Sequence, residues 1–242
     1  MRGSWSARDD RTASAVWLGI LWIGMIAGFG VDLHRFLHQN PPAPVIVHVH
    51  AFIFTVWMFL LTAQVLLVVR DRVALHRKLG WLLVAWAGLM AIFGPWAELA
   101  TDALYVNIPG ATAFLSVSIV DMCGFLVLFA WGIALRKNPA AHRRMMILST
   151  LSLATAGFLR FSGFVLHKEP TSVTLWFLSV FYGNVLLIAL ILLHDILRRR
   201  LMRSFVLGAA GLLAADYAAS FLYFWKPWSV ASTRIVELWM KL

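Results

Sequence analysis

Cysteine is almost missing from this chain: Cys123 is the only one in 242 residues, and it lies inside an apolar run. That excludes an intrachain disulfide and a CxxCH haem-attachment motif. Charge is scarce too, at 13% of residues against 61% hydrophobic, with a mean hydropathy of +0.80. A soluble globular domain carries about a quarter charged residues, so these values exclude one. Acidic residues are the rarer sign, 11 against 21 Lys and Arg. No serine-nucleophile motif, internal repeat or soluble domain is visible. The composition is that of a membrane chain. In a soluble protein the net charge of +10 would point to nucleic acid. Here the basic residues cluster in short loops between apolar runs, and no basic face is left free of the bilayer to bind it.

The apolar runs cover approximately residues 13–37, 46–69, 77–99, 112–135, 143–166, 172–197 and 204–225. Each is close to the ~20 residues that span a bilayer as a helix. They are broken by NPPAP at 40–44, NIPG at 107–110, KNPA at 137–140 and KEPT at 168–171, as expected where proline ends a helix. The expected fold is therefore all-α, one polytopic bundle of seven transmembrane helices over residues 1–242. Short connections make neighbours antiparallel. The first run follows MRGSWSARDDR, is long for a signal-peptide core and lacks a clean small-residue cleavage site, so it reads as a retained span.

Orientation follows from the basic residues. The start and the turns at 70–78, 136–144 and 198–203 hold fifteen Lys and Arg; the opposite side holds five, with Arg160 inside a span. This positive-inside bias places the amino terminus in the cytoplasm and, with seven spans, the carboxyl terminus outside. The tail FWKPWSVASTRIVELWMKL sets Trp225, Trp228 and Trp239 beside Lys226 and Lys241. That is the composition of a short interfacial helix on the outer surface.

Polar residues inside the runs mark candidate sites. On a helix, His50, Phe54, Trp57, Leu61 and Gln64 form one stripe, with a polar group at each end. His34 and His38 are spaced i,i+4, which suits clamping a metal or a haem edge, and the tight NPPAP connection brings His48 and His50 near them. His167 is a fifth outer histidine. In the fifth run His142, Ser149, Ala156, Arg160, Gly163 and His167 share one side. Arg160 lies where an unpaired guanidinium is costly, so it needs a partner. By depth Asp121 is the first candidate and Asp216 the second. On the inner side His76, His142, His194 and Asp195 form a set able to hold zinc or iron. The plainer reading there is of interfacial His-Arg anchors with Asp195 neutralising Arg77 or Arg143.

The segments VHVHAFIFTVW, LHRKLGW, PAAHRRMMILST and HDILRRR, with Gln64, Asp121 and Arg160, resemble a bacterial family of membrane proteins classed as domain of unknown function number 2306. The likeness covers about residues 45–205. It implies a seven- or eight-span protein of the bacterial inner membrane with no agreed activity, and the matching positions are His48, His50, His76, Arg77, Asp121, His142, Arg160 and Asp195. His34 and His38 lie outside the pattern, and His194 stands where an aromatic residue is expected. Histidines near both faces are also similar, at the level of fold alone, to membrane b-type cytochromes.

Three functions follow as expectations. The first is a haem- or metal-binding protein of redox or quinone chemistry, or of cofactor delivery to a respiratory complex. It would take haem b, or zinc, copper or iron, with His48, His50, Trp57, Gln64, Asp121 and Arg160 as the binding set and His34, His38 and His50 as outer ligands. The second is a zinc hydrolase of lipid-like substrates built on the inner set. The third is a transporter or a partner subunit of a membrane complex, with no broken helix pair visible in the sequence.

Overall fold

The computed structural model describes residues 7–166 and 172–242. Its elements are α1 (Ala7–His38), α2 (Val45–Val69), α3 (Val73–Leu104), α4 (Leu115–Ala134), α5 (Pro139–Leu166), α6 (Val173–Leu197), α7 (Arg203–Phe224) and α8 (Lys226–Trp239), with single 3₁₀ turns at Ala111–Phe114 and Leu135–Lys137 flanking α4. The expected all-α architecture is present. Six helical segments, those of α1–α4, α6 and α7, are long and apolar enough to cross a membrane. Large apolar side chains such as Ile23, Phe52, Trp81 and Val127 face outward, as lipid-facing positions do when hydrocarbon replaces water.

Helix boundaries follow the hydropathy, with differences at the ends. α1 begins at Ala7 and not near residue 13, and α3, expected over 77–99, runs Val73–Leu104 with Pro95 inside it. Proline lacks a backbone N–H, so the Ala91 carbonyl loses its intrahelical donor, yet the helix persists on either side. α6 is also distorted: Phe181 departs from helical geometry at φ −106°, ψ 15°. Of the proline breaks, KEPT lies outside the described residues.

The chain reverses at residues 70–72, 135–138 and 198–202 on one end of the bundle, called here the basic end. It reverses at 39–44 and 105–114 on the other, the α8 end. α8 packs against α3, α7 and the 111–114 turn. Thr112 Oγ1 meets Ser232 Oγ at 3.0 Å and Thr233 Oγ1 at 2.9 Å, and Trp228 Nε1 donates to the Ala113 carbonyl. Expected as a short tail helix, α8 is thus docked by hydroxyl and indole contacts and not by its apolar face alone.

α5 lies among α1, α4, α6 and α7. Its tightest neighbour is α1. A Cβ on Gly28 would overlap the Gly157 carbonyl, and Gly157 in turn sits against Met25 and the Gly24 carbonyl. Glycine at four-residue spacing lets two backbones touch, the usual route to close helix contact where no hydrophobic effect drives association. Phe125, Leu128, Met145, Leu148, Leu187 and Phe205 fill the interior around α5.

Candidate functional site

Carboxyl and amide groups converge where α4, α5, α6 and α7 meet. Asn184 of α6 donates from Nδ2 to Asp216 Oδ2 of α7 at 2.9 Å and to Thr155 Oγ1 of α5 at 3.3 Å. The Asp121 carboxyl of α4 lies against the same Thr155 hydroxyl and within electrostatic reach of Asp216. Backbone carbonyls hold the frame: Ser152 Oγ donates to Asp121 O, Thr155 Oγ1 to Ser152 O and Ser220 Oγ to Asp216 O. Gly124, one turn beyond Asp121, makes the approach possible, because a Cβ there would lie 2.7 Å from Ser152 Oγ.

The network is short of donors. Asp121 Oδ1, Asn184 Oδ1 and Asp216 Oδ1 are buried and have no hydrogen-bond partner, and Asn184 and Asp216 are fully enclosed. An unmet buried acceptor costs about 1–3 kcal/mol, so three in one network call for a proton or a cation among them. Phe181, the non-helical residue of α6, precedes Asn184 by one turn.

Toward the α8 end the acidic groups continue on α3. Glu98 lies beside Ser118, one turn before Asp121 on α4, and within electrostatic reach of Asp121. Asp102 follows Glu98 by one turn and is buried, with Oδ2 lacking a partner. Pro95 precedes Glu98 by three residues, as Phe181 precedes Asn184. Toward the basic end, Ser152 and Ser149 carry the polar line down α5, with Ser149 donating to the Met146 carbonyl.

Arg160 does not pair with Asp121, its expected partner. Its Nε donates to Asp32 Oδ2 of α1 at 3.0 Å, its Nη1 to the Ala156 carbonyl, and the guanidinium stacks over Phe29. The glycine contact of α1 with α5 explains the choice, since Asp32 is one turn beyond Gly28 and Arg160 about one turn beyond Gly157. Asp32 also binds Arg35 through both oxygens. The sequence reading missed Asp32 as a partner, although Gly24, Gly28 and Asp32 recur at the spacing of one helix face.

The outer histidines do not converge. His34 and His38 stack on each other at 4.5 Å, exposed, with His38 Nδ1 turned to the His34 carbonyl. His48 is exposed and packs edge-on to Phe36, while His50 stacks on Phe54 and reaches the Phe93 carbonyl. Trp57 and Gln64 are buried on the His50 side of α2, as the stripe required. Trp57 donates to Thr150 Oγ1, and neither polar atom of the Gln64 amide has a partner. His167 lies outside the described residues.

The inner set divides in two. His76 and His142 are edge to face with ring centroids 6.2 Å apart, and His142 Nδ1 donates to the Gly132 carbonyl. His194 instead packs edge-on to Trp17 and contacts Asp195. Asp195 does not neutralise Arg77 or Arg143 as expected; Arg144 grips it, buried. Arg144 was counted only among the basic residues of the turn at 136–144, but the helix begins at Pro139 and Arg144 is buried. Among the described residues no three His, Cys, Asp or Glu side chains gather as a metal cage.

Comparison with known proteins returns nothing: no protein-family model, curated protein or solved structure matches the chain.

Proposed function

We propose that this chain is a seven-span protein of the bacterial inner membrane, amino terminus inside and α8 on the outer surface, that moves a monovalent cation through its core by way of Asp121 and Asp216. The observation that carries this reading is the trio of buried, unpartnered acceptors Asp121 Oδ1, Asn184 Oδ1 and Asp216 Oδ1. Ionisable groups at membrane depth are costly and mark ion pathways far more often than they serve packing alone. Membrane carriers place such sites beside interrupted helices; α6 leaves helical geometry at Phe181, one turn before Asn184, and α3 loses a backbone hydrogen bond at Pro95, one turn before Glu98. Ser152 and Ser149 lead from the site toward His142 and His76. Membership in family 2306, drawn from the motifs, belongs to the same proposal.

Proteoliposomes containing purified protein and a pH-sensitive dye test it, with a potassium gradient clamped by valinomycin and tracer sodium in a parallel arm. Cation flux above that of protein-free vesicles is expected, lost in Asp121→Asn and Asp216→Asn. Vesicles as tight as the protein-free control would reject the reading.

A second reading rests on His76 and His142. Donation of Nδ1–H to Gly132 leaves the Nε2 lone pair of His142 free, the arrangement of a histidine ligand oriented by a backbone carbonyl. Haem b or a transition metal held at this pair would show as a Soret band or as stoichiometric metal in detergent-purified protein, lost in His76→Ala and retained in His50→Ala.

A further inference from the structure

Resting on the cation-transfer reading, we propose that the cation is a proton and that it reaches the core from the α8 end through Asp102 and Glu98.

The acidic side chains form a graded descent. At ~1.5 Å of rise per residue, Asp102 lies about 3 Å from the end of α3 and Glu98 about 9 Å from it. Asp121 lies at about the depth of Glu98, and Asp216 about 12 Å from the end of α7. Glu98 lies beside the Ser118 hydroxyl of α4, one turn from Asp121. The route does not depend on acidic residues alone. Asn184, fully buried, spends both amide hydrogens on Asp216 and Thr155 and leaves Oδ1 without a partner at the inner terminus of the descent. That oxygen is a buried acceptor still without a donor.

A metal cation fits this route poorly. Asp102 is only 7% exposed, whereas a hydrated ion needs room or a ring of oxygens to replace its water. A proton moves between groups already in place. The O–H bond of the Asp102 carboxylic acid breaks as one forms on the Glu98 carboxylate, and Asp102, now the carboxylate, takes its next proton from water at the α8 face. Glu98 passes its proton to Asp121 in the same way, and Asp216 accepts it in turn.

The test uses the full chain in the same vesicles. Glu98→Gln and Asp102→Asn keep shape and hydrogen-bonding capacity and remove the exchangeable proton. Each is expected to lower proton flux by about tenfold or more at an unchanged melting temperature, as loss of a relay carboxyl in a membrane path does. Glu98→Asp should keep a substantial part of it. Tracer sodium flux should stay at the protein-free level throughout. If the wild type conducts protons and both neutral variants conduct equally well, the route through α3 is overturned while the transfer reading stands. Sodium flux carried by the wild type overturns the proton assignment. If one variant fails to fold, the other carries the same comparison.

Discussion

Arg144 and Asp195 meet side-on, Nε donating to Oδ2 at 2.8 Å and Nη2 to Oδ1, with both side chains sealed from solvent. Arg144 also donates to the Ala140 carbonyl and lies 5.6 Å from the centre of the Trp17 ring. The pair therefore joins α1, α5 and α6 at the basic end.

Removing one member of a buried pair leaves the other charged in low dielectric, at a cost of about 3–5 kcal/mol. Arg144→Met should lose that much stability in detergent unfolding, and adding Asp195→Leu should restore most of it. Losses that simply add would show that the two residues are not coupled.

The Asp32–Arg160 pair is more open, at 15% and 35% side-chain exposure. Solvent screening places its coupling low, at about 0.5–1 kcal/mol. A double-mutant cycle with Asp32→Asn and Arg160→Gln should give that value, and the same cycle with Asp121→Asn in place of Asp32→Asn should give nearly none. Coupling to Asp121 as large as to Asp32 would contradict the geometry.

A Cβ at Gly28 meets the Gly157 carbonyl, whereas one at Gly19 meets nothing within 4 Å. Gly28→Ala should cost about 1–3 kcal/mol by forcing α1 away from α5. Gly19→Ala should be neutral or slightly stabilising, through helix propensity. Equal effects at the two positions would mean that the close contact carries no energy.

Topology is checked by labelling single cysteines after Cys123→Ala. Residues 74 and 108 are both exposed, one at the basic end and one at the α8 end. Ala74→Cys should react only with reagent supplied from the cytoplasm, and Ile108→Cys only from outside. The reverse pattern would invert the orientation.

Helices were legible because hydropathy is a property of the chain in one dimension: the apolar runs coincide with helices to within a few residues, apart from the earlier start of α1 and the longer ends of α3. The stripe of His50, Trp57 and Gln64 was legible for the same reason, as periodicity along one helix. Partners across helices were not. Depth alone made Asp121 the match for Arg160, and only the glycine contact of α1 with α5 reveals Asp32. Arg144 was hidden in a basic turn. Glu98 and Asp102 share no motif with the histidines, although a glutamate one turn after Pro95 inside an apolar run is a visible signal.

The contact of Gly28 with Gly157 also bears on how the protein is made. α1 leaves the ribosome before α5, and the surface it fits belongs to that later helix. Until α5 has been made, α1 must wait with its glycine groove unfilled and Asp32 without Arg160. Maturation therefore cannot proceed hairpin by hairpin. A chain truncated after α4 should be inserted but left unassembled, exposed to membrane quality-control proteases until synthesis of α5 closes the bundle.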